Sequence, residues 1–129
     1  MVIHLCAQGT MDQNKILISL IQKVESFIEI LNGSPYISHK EHLRIVKEIK
    51  DLSEQLHNGE ISFLQGESTL SNLNKKAVAD EISSLTTKIS YLNPSSPRLE
   101  NLRDLGTALH SNTITPEQAR KRIQELMCA

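Results

Sequence analysis

Residues 51–73 read DLSEQLHNGEISFLQGESTLSNL, and residues 104–126 read DLGTALHSNTITPEQARKRIQEL. Laid together at a constant offset of 53 (104 − 51), the two stretches are identical at seven of 23 positions with no gap. The identities are Asp51/Asp104, Leu52/Leu105, Leu56/Leu109, His57/His110, Ile61/Ile114, Gln65/Gln118 and Leu73/Leu126. Ser62/Thr115, Gly66/Ala119 and Leu70/Ile123 are close in size or chemistry. Because the match spans apolar spacing, a turn and the following helix start, it describes a helix–turn–helix unit used twice. Such a pattern fixes shape much more than chemistry.

Both stretches carry the same start signal after the turn. Ser62 stands three residues before Gln65, and Thr115 three before Gln118, each the spacing of a capping box. Pro116 adds the residue favoured at the first helical position. The same signal opens two more segments, at Thr10/Gln13 and Ser38/Glu41. After Thr10, Leu17, Ile21, Val24, Ile28 and Leu31 recur at helical spacing, with Leu20 and Phe27 widening the stripe. Asn32-Gly33-Ser34-Pro35 ends it, since Gly permits a left-handed cap and Pro cannot continue a helix. Leu43, Val46, Ile49, Leu52 and Leu56 mark the next helix.

The stretch 63–92 has two stripes in different phase. Leu70, Leu73 and Ala77 form one, and Val78, Ile82, Leu85, Ile89 and Leu92 the other. The stretch reads either as one long helix or as two helices broken near Asn74-Lys75-Lys76, and the change of phase favours a break or kink there. Asn93-Pro-Ser-Ser-Pro97 is the strongest punctuation, and Leu99, Leu102, Leu105 and Leu109 follow at helical spacing. The repeat extends backwards at an offset of 61 (78 − 17), where Leu17, Ile21, Val24, Ile28 and Leu31 meet Val78, Ile82, Leu85, Ile89 and Leu92. The expected fold is therefore all-α: a compact bundle of five or six helices from a duplicated helix–turn–helix or three-helix unit. Residues 1–10 are expected to be a flexible arm before a single helical domain over 11–129.

Composition agrees with that class. A chain of 129 residues with 39% hydrophobic and 22% charged residues buries enough surface to fold without a metal or disulfide. It has no Trp, two Tyr and two Phe, so the core must come from Leu and Ile. With 14 basic and 15 acidic residues, no overall field draws the chain to nucleic acid or a membrane. No apolar run approaches the ~20 residues a spanning helix needs. Cys6 and Cys128 are read as free thiols in a reducing, cytoplasmic setting.

Chemistry-bearing motifs are sparse. His57 and His110 fall in equivalent last turns, where imidazoles favour the negative helix end. His39 and His42 are two potential ligands on one face, too few for a zinc site, and His4 with Cys6 is thinner still. There is no phosphate loop, nucleophile elbow or paired-cysteine motif, so no catalytic residue, metal or cofactor is expected.

The expected function is a non-catalytic protein–protein interaction module, a small helical regulator acting as inhibitor, chaperone or adaptor of a larger enzyme or effector, with homodimerisation as a further use. Leu20 and Phe27, on the broad apolar arc of the first helix, and Arg103, Arg120 and Arg122 are its expected contact residues. The alternative is a nucleic-acid-binding regulator using the basic C-terminal helix pair, argued against by Glu117 and Glu125 on the same helix.

Overall fold

Breakers and caps cut the chain into five helices in a computed structural model, which describes the backbone of residues 2–128 and the side chains of residues 15–128. They are α1 (Val2–Gly33), α2 (His39–His57), α3 (Phe63–Leu92), α4 (Arg98–His110) and α5 (Pro116–Cys128). No strand occurs among the described residues. Among the described residues no helix is long and apolar enough to cross a membrane.

Helix boundaries follow local chemistry. Ser38 accepts from the Glu41 amide at the start of α2. Ser62 and Gln65 form a reciprocal capping box on α3, with bonds of 3.2 and 2.9 Å. Thr115 and Gln118 make the same pair on α5, at 3.1 and 2.9 Å. The ends of α2 and α4 are just as alike. Gly59 (φ 71°) and Asn112 (φ 60°), 53 residues apart, both take the left-handed conformation. The following amides bond back in the same way, Glu60 to Gln55 O and Thr113 to Ala108 O, each at 2.9 Å. That pattern satisfies carbonyls a helix end would otherwise leave open.

Two elements differ from the reading above. The helix expected from residue 10 starts at Val2, so the expected arm is helical backbone from there. Extending an existing helix adds a bond for each residue fixed, and residues 2–8 contain no breaker. The Thr10/Gln13 box and Cys6 lie outside the described side chains. The expected break near Asn74 is absent, and α3 runs unbroken for 30 residues. The two stripes are real, but they belong to different cores.

The first cluster contains Leu20, Val24, Phe27 and Leu31 of α1, Ile45, Ile49, Leu52 and Leu56 of α2, and Leu70, Leu73 and Ala77 of α3. The second contains Val78, Ile82 and Leu85 of α3, Leu102, Leu105 and Leu109 of α4, and Ala119 and Ile123 of α5. At about 100° per residue, the second α3 stripe lies roughly 120° round from the first, which lets one helix serve both clusters. Each fully buried Leu or Ile contributes about 1.5–3 kcal/mol.

Burial also sets the register between α1 and the second half of α3. Leu20, Val24, Phe27 and Leu31 correspond in spacing to Val78, Ile82, Leu85 and Ile89, an offset of 58 (78 − 20). The offset of 61 puts buried Leu31 on Leu92, which is 80% exposed, and so fails by about one turn. Of the four connections, the two that follow these helices, 34–38 and 93–97, hold proline second, at Pro35 and Pro94.

Candidate functional site

The clefts of the surface pair up under these offsets. One, between α2 and the first half of α3, is lined by Asp51, Leu52, Gln55, Thr69 and Leu73. Another, between α4 and α5, is lined by Asp104, Leu105, Ala108, Arg122 and Leu126, the positions 53 further on. Both follow from the same helix–turn–helix packing.

A second pair of clefts differs in a way that matters. Between α1 and the first half of α3 runs a groove of about 710 Å³. Leu20, Phe27, Ile30 and Leu70 supply its apolar wall, and Thr115-Pro116-Glu117 closes one end. Lys23 and Glu67 face each other on its rim at 3.7 Å, with side chains 59% and 49% exposed. Such an open pair contributes little to stability.

The related groove lies between the second half of α3 and α5, where a cleft of about 300 Å³ remains. Here Glu81 stands where Lys23 stands in the first (81 − 23 = 58), and Arg120 where Glu67 stands (120 − 67 = 53). The charges are reversed. This second groove is also covered, by Ile30 of α1 and the Ser34-Pro35-Tyr36 connection.

Covering changes the electrostatics. Glu81 is only 4% exposed, and its Oε1 accepts a 2.5 Å bond from the Ser34 hydroxyl. Burial pushes its carboxyl above the usual carboxylate range, opposed by the Ser34 hydroxyl and the Arg120 charge and assisted by Asp80. Arg120 is lowered from its usual value by burial, with Glu81 and Glu117 opposing. Its guanidinium lies 5.9 Å from the centre of the Phe27 ring. No described acceptor bonds its Nε, Nη1 or Nη2. Next to Glu81, Asp80 accepts from the Ser38 amide at 2.8 Å and its hydroxyl at 3.2 Å. Two successive carboxylates of α3 thus hold the connection that covers the second groove.

The expected contact residues are dispersed. Leu20 and Phe27 are buried in the first cluster and show only an edge to the open groove. Phe27 meets Arg120, but Arg122 is exposed in the α4–α5 cleft beside Asp104 and Glu125, and Arg103 is exposed on α4. Three successive residues of a helix point about 100° apart, so Arg120, Lys121 and Arg122 share no face. His57 and His110 occupy the last turns of α2 and α4 and are exposed. No group of three metal-binding side chains comes together among the described residues. Lys75 donates to His110 O at 3.1 Å and Asn112 Oδ1 at 3.0 Å, so a mid-α3 lysine fastens the end of α4.

The Lys23–Glu67 pair, Glu81 and Ser34 went unmarked in the sequence. Their signal was the charge reversal, visible only once the offset of 58 is known. The chain matches no protein-family model, no curated protein sequence and no solved structure.

Proposed function

We propose that this chain is a non-catalytic protein-interaction module, a small cytoplasmic helical regulator that takes a segment of another protein in the groove between α1 and α3. The observation that carries this reading is the open groove itself, floored by the edges of buried Leu20, Phe27 and Leu70, flanked by exposed Ile30 and rimmed by Lys23 and Glu67. Concave apolar surface with a few polar groups at its edge is what helix-in-groove recognition uses. Ile16, Ile18, Ile21 and Ile30, all exposed on α1, extend the apolar character of that helix beyond its core contacts. Nucleic-acid binding has less support, because Arg120 is committed to the interior and Arg122 lies beside carboxylates.

A photo-reactive residue at Lys23 tests the proposal, with the same residue at exposed Lys47 on α2 as control. A discrete protein adduct in native lysate is expected from position 23 and not from position 47. Equal labelling from both positions would contradict it.

A further inference from the structure

The two grooves treat their facing charges differently. In the open groove, Lys23 of α1 and Glu67 of α3 pair across the gap at 3.7 Å. In the covered groove, Glu81 and Arg120 hold the equivalent positions and act on each other's charge. Yet no described acceptor bonds the Arg120 nitrogens. The Glu81 Oε1 is taken instead by the Ser34 hydroxyl, at 2.5 Å. A buried guanidinium left unpaired beside a buried carboxylate is costly, so the covered groove holds an ion pair in reserve.

What keeps the pair from forming is lightly held. None of the residues 34–38, which connect α1 to α2, is fully buried. Tyr36 packs at the edge of the second cluster and Ile37 at the edge of the first. The rest of the hold is polar: Ser34 on Glu81, and the Ser38 amide and hydroxyl on Asp80. Leu31 of α1 and Ile45 of α2 are anchored in the first cluster, so the connection can lift while both helices stay packed.

We propose that residues 34–38 are a latch over the groove between α3 and α5, closed while Ser34 holds Glu81 and open when Glu81 pairs with Arg120 as Glu67 pairs with Lys23. The open form uncovers the second groove and repeats the first with its charges exchanged. Protons set the balance between the two forms. A neutral Glu81 carboxyl keeps the Ser34 bond and carries no charge to attract Arg120, whereas the carboxylate gains the ion pair. Burial favours the neutral form in the closed state. The charged and titratable groups around Glu81 are Asp80 beside it on α3, Glu29 of α1, Tyr36 of the latch, and Arg120 of α5 with Glu117 near it. Arg120 is the one cation of this set, so ionised Glu81 turns to it. Raising the pH therefore opens the latch.

The Ser38 amide donates to Asp80 in the closed form, so its exchange with solvent reports the latch. Nuclear magnetic resonance of the purified full-length chain follows it from about pH 5 to pH 8, each rate divided by the intrinsic rate at that pH. The Ile49 amide, in the middle of α2, reports wider unfolding. Ser38 protection should fall about tenfold over this range, the change given by a one-unit difference in the Glu81 pKa between closed and open forms. Ile49 should stay far better protected throughout. The Arg120 Nε resonance, assigned by its loss in Arg120→Lys, should move with the same midpoint. Glu81→Gln still accepts from Ser34 and cannot ionise, so its Ser38 protection should stay at the acid value at every pH. Ser34→Ala should leave Ser38 weakly protected even at pH 5. Four results would overturn the proposal: Ser38 protection that does not change with pH, protection that merely tracks Ile49, an Arg120 resonance that stays fixed, or the wild-type pH response in Glu81→Gln, which would assign the change to Asp80.

Discussion

Leu102→Ala is the sharpest perturbation of the second cluster, since Leu102 has no exposed surface and Ile49 is its counterpart 53 residues earlier in the first. Truncating a fully buried leucine removes its transfer energy and leaves a cavity, for a total of about 2–5 kcal/mol. Ile49→Val removes one methyl and should cost about 0.5–1.5 kcal/mol. The two sites lie in separate clusters that share only α3, so their effects should add to within about 0.5 kcal/mol in the double variant. Urea unfolding of the four proteins measures this, with circular dichroism as the probe. Hydrogen exchange then maps it, with Leu102→Ala raising exchange in α4 and α5 first and Ile49→Val in α1 and α2. A coupling well above 1 kcal/mol, or faster exchange spread evenly over all five helices, would refute the division into two clusters.

Other consequences are smaller but as definite. Ile61 and Ile114 are half-buried turn anchors packed against the first and second clusters, so Ile61→Ser and Ile114→Ser should each cost about 1–3 kcal/mol in thermal or urea unfolding. Gly59→Ala, at φ 71°, should cost about 1–2 kcal/mol, whereas Asn112→Gly, at φ 60°, relieves the left-handed conformation and loses only the exposed bond from Lys75, so it should cost less than Gly59→Ala; a larger loss from Asn112→Gly would count against the left-handed turns. Glu81 has a folded-state pKa raised by burial, so the stability it lends is complete below its unfolded value and is lost as pH rises through its folded value. Acidifying from about pH 7 towards pH 5 should therefore stabilise the wild type relative to Glu81→Gln in urea titrations, and a difference moving the other way would contradict the burial argument.

The helices were legible where strong local chemistry acts. The capping residues Ser62, Gln65, Thr115 and Gln118 make the bonds their spacing implies. The stop after Leu31 falls at Gly33 as its breakers imply, but Gly33 does not take the left-handed conformation, which among the described residues belongs to Gly59 and Asn112. Asn74-Lys75-Lys76 misled because polar residues in mid-helix ordinarily mark a loop. Here Lys75 reaches the end of α4, and Asn74 donates to Glu117 of α5 at 3.0 Å, which are tertiary reasons no window of sequence contains. Phe27 broadens the α1 stripe in the sequence; its ring is in the core, lines the α1–α3 groove with one edge and lies beneath Arg120, a residue 93 positions away that no local pattern connects to it. The groove was illegible for a related reason. Its recognition required the register of two helices against each other, and heptad spacing alone accepts both 58 and 61.

A continuous α3 that serves both clusters underlies the register and the two grooves. Spin labels at exposed Thr69 and Thr87, in a chain with Cys6 and Cys128 changed to Ser, test it directly by pulsed dipolar spectroscopy. Eighteen residues make five full turns, so an unbroken helix keeps both labels on one face about 27 Å apart. A single narrow distribution near that value is expected. A distribution centred below about 20 Å, as for a chain folded back near Asn74, would contradict the shared helix.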